Sequence, residues 1–288
     1  MNPTLTFDLP SDVRELFQFP FMVHALEAGT IVAVLAAAVG WFMVLRRQSF
    51  AGHTLALMAF PGAAGASLAG LPTALGYYIA CGSAALAMGR VPRPQRARAH
   101  TTETAAIGTV QAVGLAAGFL FLSLDNQILA GLETLLFGTF LGVSSDQVIA
   151  LLAVAAAALF ALAVIARPLL FATLDPEVAR ARGVPVGALD ALFLLILAAA
   201  VAAASQITGA LLVFALLVAP PAAAQALTSR TLAGLALSVA LALAIVWLGL
   251  AAAYFSIYPP GFYTTTFAFA AYLTARGARA VQARLVTA

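Results

Sequence analysis

Apolar runs about as long as a bilayer is thick recur along this chain from residue 21 to residue 273, with only short polar connections between them. The first run, 21–45, would be about 37 Å long as a helix at roughly 1.5 Å per residue, enough to cross the hydrocarbon with some tilt. Lipid offers the backbone no hydrogen-bond partners, so successive runs of this kind must fold as helices packed on one another. Composition agrees: only 9% of the residues are charged and 63% are hydrophobic, where a soluble domain averages about 25% charged. The expected fold is all-α, a polytopic transmembrane helical bundle of about nine spans (eight or nine). It forms one domain over 1–288, with a surface segment at 1–20 and a polar cytoplasmic segment at 173–187. The surface segment sets Asp8, Asp12 and Glu15 against Arg14 and lacks the basic start of a secretory signal.

The spans read as 21–45, 49–68, 71–88, 101–122, 148–166, 189–204, 207–226, 232–254 and 262–273, with 135–143 as a half-helix too short to cross. With the N-terminus outside, every arginine except Arg14 falls on one side, and the acidic connection from Asp125 to Asp146 falls on the other. This asymmetry predicts a multi-pass protein of an inner or plasma membrane, N-terminus out and C-terminus cytoplasmic. It also explains the formal charge of +3 as an orientation signal, with no nucleic-acid partner implied. Glycine and alanine fill most spans, at spacings such as Gly62, Gly65 and Gly70, which lets helices approach closely. Pro61 predicts a kink in the second span.

Several chemistries are excluded. Cys81 is the sole cysteine, so one chain can hold neither a disulfide nor a cysteine-built zinc or iron-sulfur site. No nucleophile stands with a base and no phosphate-binding loop is present, so the chain hydrolyses no ATP and is not an enzyme. Energy for transport must come from a partner or from a gradient.

Ionisable groups inside apolar spans remain as the candidates. His53 lies near the cytoplasmic end of its span and reads first as part of a pathway, although a histidine satisfied by a neighbouring helix would look the same. His24 and Glu27, at i and i+3 near the outer end of the first span, could meet one ion or simply hydrogen-bond at the interface. About 20 Å along the membrane normal separates His24 from His53, too far to share an ion. His100 and Glu103 share the same spacing and could form part of a cytoplasmic gate, while Glu103 in a first turn also suits the helix dipole. The stretch 175–183 reads as a short capped helix, with Asp175 at the N-cap, Pro176 at N1, Glu177 in the first turn, Arg180 following and Gly183 at the end. Such a helix fits docking on another protein, and equally an ordinary connection.

The motif Val44-Leu-Arg-Arg-Gln-Ser-Phe-Ala-Gly-His-Thr-Leu-Ala, then Glu103-Thr-Ala-Ala-Ile-Gly, the stretch 175–183, and Thr208-Gly-Ala-Leu-Leu-Val with Pro220-Pro-Ala-Ala-Ala occur in this order. In these the chain resembles the permease subunits of ATP-binding-cassette importers for zinc, manganese and related divalent metals, over nearly its whole length. The resemblance implies a homodimer, docked on cytoplasmic ATPase subunits and fed outside by a metal-binding protein. It also implies that 175–183 is the coupling helix and that the second span lines the metal path. The family usually carries aspartate and histidine four residues apart there, where this chain has His53 and Leu57. One ligand is kept and one lost, so the path must recruit another residue, use the partner's copy, or bind weakly. A nitrogen ligand in place of a carboxylate leans toward zinc over manganese. The expectation is a permease moving a divalent metal, zinc favoured and manganese next, as transported substrate with no resident cofactor. A permease for a metal chelate or siderophore, or a gradient-driven carrier, are the alternatives.

Overall fold

The computed structural model describes residues 15–90, 99–124, 138, 142–209 and 212–287, with side chains at 15–90, 104–124, 138, 142–209 and 212–282. Ten helices follow one another in these residues: α1 Pro20–Leu45, α2 Ser49–Leu68, α3 Thr73–Gly89, α4 Ala99–Leu124, α5 Ser145–Leu174, α6 Pro176–Ala181, α7 Val186–Thr208, α8 Val213–Leu227, α9 Thr231–Tyr254 and α10 Pro260–Thr287. The described residues contain no strand, as the all-α expectation requires. All but α6 have 15 residues or more and coincide in position with the expected spans. Five of them, α1, α4 over Thr104–Leu124, α5, α7 and α9, are long and apolar enough to cross a bilayer.

Burial sorts the helices. α1 is the central one, with α5, α7, α8 and α9 packed around it. On one side of it α2 carries α3 and α4, and α7 bridges this group to α1; on the other side α10 closes over α8 and α9. Side chains at the contacts are small. Gly62 of α2 and Gly76 of α3 oppose each other so closely that a Cβ on either would overlap the other's carbonyl oxygen. Between lipid-embedded helices, where no hydrophobic force favours one apolar neighbour over lipid, such close backbone approach is what holds the pair together.

The boundaries differ from the expected ones in three places, each for a visible reason. α5 does not stop at Arg167: it continues through Pro168 to Leu174, because Leu169 and Ala172 are still buried against the bundle. α10 likewise runs past Arg276, whose guanidinium donates to the Tyr272 hydroxyl and lies over its ring. The break expected between residues 204 and 207 falls instead at Gly209. Gln206 is satisfied within the helix by donating to Tyr78 Oη and the Ala202 carbonyl, whereas Gly209 takes φ 78°, a conformation that glycine adopts without penalty. Pro61 lies within continuous α2. The half-helix expected at 135–143 lies outside the described residues apart from Gly138, Gly142 and Val143. Gly138 itself sits with its backbone against the Ile207 carbonyl and Gly209, at the break between α7 and α8.

The tight α2–α3 contact yields a direct test. Gly76→Val forces this crossing apart and destabilises the protein by about 1–3 kcal/mol, read as a lowered thermal midpoint in detergent. Gly82→Val on the same helix, where a Cβ meets nothing within 4 Å, leaves the midpoint in place.

Candidate functional site

The two ends of the bundle are chemically different. At one end His24 and Ser145 meet, and Glu15 accepts from the Tyr254 hydroxyl. At the other end lie Arg46, Thr173 and Asp190, and nearby Gly89 packs beside Ala191. The candidates distribute between these ends as chain direction requires.

His53 occupies the second turn of α2, which starts at the arginine-bearing turn 46–48. Its ring is half-buried and lies 4.8 Å, centroid to centroid, from Phe214 in the first turn of α8. Its Nδ1 is buried and has no hydrogen-bond partner among the described residues. A buried ring nitrogen without a partner is costly, by about 1–3 kcal/mol. Its neighbour Thr54 is fully buried and paired, donating to Gln111 Oε1 of α4 at 3.0 Å. Leu57, one turn further along α2, is half-buried and brings no ligand atom in its side chain. Among the described residues no group of three or more His, Cys, Asp or Glu side chains is placed to hold a metal ion. His53 thus offers one imidazole, packed near Phe214 and next to the Thr54–Gln111 pair.

His24 does not turn to Glu27. Its Nε2 lies 3.1 Å from Ser145 Oγ, at the start of α5, where Ser144 and Gln147 form a reciprocal capping box. Glu27 is exposed on α1. His100 and Glu103 belong to α4, but their side chains lie outside the described residues.

The stretch 175–183 has the local geometry read from its sequence. Asp175 caps α6 by accepting from the Val178 N–H at 3.0 Å, Pro176 stands at N1, and Glu177 and Arg180 occupy its first and last turns. Gly183 then takes φ 81°. Ala179 is buried against the bundle while Leu174, Glu177, Val178 and Arg180 are exposed. This surface combines apolar and charged groups on a short rigid platform at the arginine-rich end.

Sequence reasoning missed a polar cluster beside that platform. The Arg46 guanidinium pairs with Asp190 of α7 and donates to Thr173 Oγ1 of α5 at 2.9 Å. It also lies 5.3 Å from the centre of the buried Phe193 ring. The available signal was two opposite charges predicted at the same membrane face, next to the ends of apolar runs.

The model of the ABC 3 transport family matches residues 18–277. The chain belongs to this family. It is accordingly a multi-pass membrane subunit of a transport system and not an enzyme. The manganese transport system membrane protein MntC of Halalkalibacterium halodurans is 31% identical over 229 residues, 80% of this chain and 75% of that one. The chelated iron transport system membrane protein YfeC of Yersinia pestis is 33% identical over 214 residues, 74% and 71% of the two chains. Among solved structures, PsaBC from Streptococcus pneumoniae in complex with Fab superposes with a TM-score of 0.80 at 25% identity, covering 93% of this chain and 95% of that one.

The cap on α6 gives a local prediction for this ABC 3 family chain. Asp175→Ala removes about 1 kcal/mol from the helix start, so amide exchange at 178–181 becomes roughly fivefold faster while the global thermal midpoint is unchanged. Hydrogen-exchange mass spectrometry reads both.

Proposed function

We propose that this chain is the membrane permease of an ATP-driven importer that moves a divalent transition metal into the cytoplasm. Two copies enclose the path, each docked through α6 on a cytoplasmic ATPase subunit, and an external binding protein delivers the ion. The arginine-rich end is the cytoplasmic one, in keeping with the positive-inside rule. The observation that carries the reading is His53: a buried, unpartnered imidazole nitrogen inside a membrane helix of a transport-family chain. Intramembrane ionisable groups lie on substrate paths far more often than in passive packing.

A single imidazole with leucine one turn away binds weakly, which suits a path that an ion must leave as readily as it enters. Imidazole accommodates zinc and iron well, whereas manganese prefers carboxylate and water oxygens; on this ground zinc is the favoured ion. The printed names of the relatives, manganese for MntC and chelated iron for YfeC, make manganese and iron the competing ions. YfeC also supports the second reading, in which the substrate is a metal chelate and His53 contacts its periphery.

Uptake into proteoliposomes holding the chain, its ATPase and its binding protein tests this. ATP-dependent uptake of zinc exceeding that of manganese is expected, and His53→Ala lowers it at least tenfold while the complex stays assembled. Competition by a chelate over the free ion moves the assignment to the second reading. Uptake that ignores ATP and follows a proton gradient overturns both. Replacing Glu177 and Arg180 together by alanine weakens association with the ATPase at least tenfold, measured by retention of the ATPase on the immobilised permease.

A further inference from the structure

The segment proposed to receive the ATPase stroke and the helix carrying His53 are far apart in sequence, and α6 packs mainly on α5 and α7. The Arg46 side chain links the two regions. Thr173 lies two positions before the Asp175 cap of α6, and Asp190 lies in the second turn of α7, the helix that follows α6. Arg46 engages both, and thus brackets α6 from its two flanks. Its own position is equally fixed: the guanidinium lies over Phe193, and the Arg46 and Asp190 side chains are only 7% and 17% exposed.

From Arg46 the path continues to His53 through rigid parts. Arg46 is the C-cap of α1, and its Nε lies 3.5 Å from Oε1 of Gln48, the N-cap of α2. Arg47 between them takes φ 57°, a left-handed conformation that a non-glycine residue keeps only where its surroundings over-determine it. The turn is further closed by the Gln48 N–H donating to Met43 O at 2.9 Å and the Gly52 N–H donating to Gln48 O at 3.0 Å. His53 follows on the next residue. Thr173, Asp190 and the base of α2 are thus joined through Arg46 and a hydrogen-bonded turn.

Charge alone does not account for this arrangement. A buried ion pair gives little net stability over apolar groups of the same volume, so helix packing at this point gains nothing from an arginine. What a guanidinium adds is a planar fork whose donors reach several acceptors at fixed angles, here one on α5, one on α7 and one on the turn into α2.

We propose that Arg46 is the positioning residue that transmits movement of α6 to the His53 helix, resting on the coupling role given to α6 above. The prediction separates it from a merely structural arginine. In the full complex, Arg46→Ala leaves ATPase association and basal ATP hydrolysis intact but lowers metal moved per ATP hydrolysed at least tenfold. Thr173→Val, which removes one hydroxyl at nearly constant volume, lowers that ratio about threefold. The exchanged pair Arg46→Asp with Asp190→Arg recovers part of the ratio that either change alone removes.

Hydrogen exchange provides a readout independent of transport. Switching the ATPase between its ATP-bound and nucleotide-free states changes exchange at 176–181 and at 49–56 in the wild-type complex. In the Arg46→Ala complex the response persists at 176–181 and is lost at 49–56. A response retained at both segments, or an unchanged ratio of metal to ATP, overturns the proposal, as does loss of assembly in Arg46→Ala with Thr173→Val indistinguishable from wild type. If the wild-type complex moves no metal with ATP, the importer reading has failed, and the exchange comparison still decides whether Arg46 links the two segments.

Discussion

Lipid satisfies no backbone hydrogen bond and gives apolar helices no preference for each other over acyl chains. The first half of this constraint makes every long element of the bundle a helix. The second half decides how they meet: the contacts are made where side chains nearly vanish, as at Gly62 against Gly76 and at Gly40 against the Leu217 carbonyl. Chain-wide richness in alanine and glycine is the compositional trace of that requirement, and the burial of α1 among four other helices is its result.

Given such a bundle, each polar group inside it must be answered locally or mark something else. Most are answered. Thr30, Thr173, Thr208, Thr264 and Thr274 donate to carbonyls one turn back, Gln225 donates to the Trp41 carbonyl, and Thr54 pairs with Gln111. Among the described residues Trp41 Nε1, Ser205 Oγ and His53 Nδ1 are buried and unanswered. For each the penalty is one missing hydrogen bond. Of the three, a neutral histidine offers a ring-nitrogen lone pair that a borderline transition metal binds well, whereas the indole N–H only donates and a serine hydroxyl suits harder cations.

The sequence disclosed the elements because membrane helices are written in a single, strong signal, and the cap residues of α6 because Asp175, Pro176 and Gly183 act within a few positions of themselves. It did not disclose boundaries set by tertiary burial. Arg167 and Pro168 look like an ending until Leu169 and Ala172 are seen to be buried, and Ser205-Gln206 looks like a break until Tyr78 is found beside Gln206. Nor did it disclose partners chosen across the fold. His24 and Glu27 share a helix face, yet His24 pairs with Ser145, 121 positions away, and Arg46 pairs with Asp190, 144 positions away. Periodicity reports which residues share a face and is silent about what that face meets.

Placement of charge connects these observations to transport. A cation crossing between helices meets its strongest attraction wherever ligand atoms are dense, and a dense site would hold it. Along α2, His53 offers one imidazole beside Thr54, already engaged with Gln111, and one turn before Leu57, whose side chain carries no ligand atom. The Arg46 and Asp190 charges near the base of the same helix pair with each other and are largely buried. On the proposed path, a single imidazole makes a shallow minimum, so affinity alone would not set the direction of transport. The helix that carries His53 is joined to α1 by a three-residue turn in which the Arg46 and Gln48 side chains meet, and through that turn a movement of the helix would be imposed.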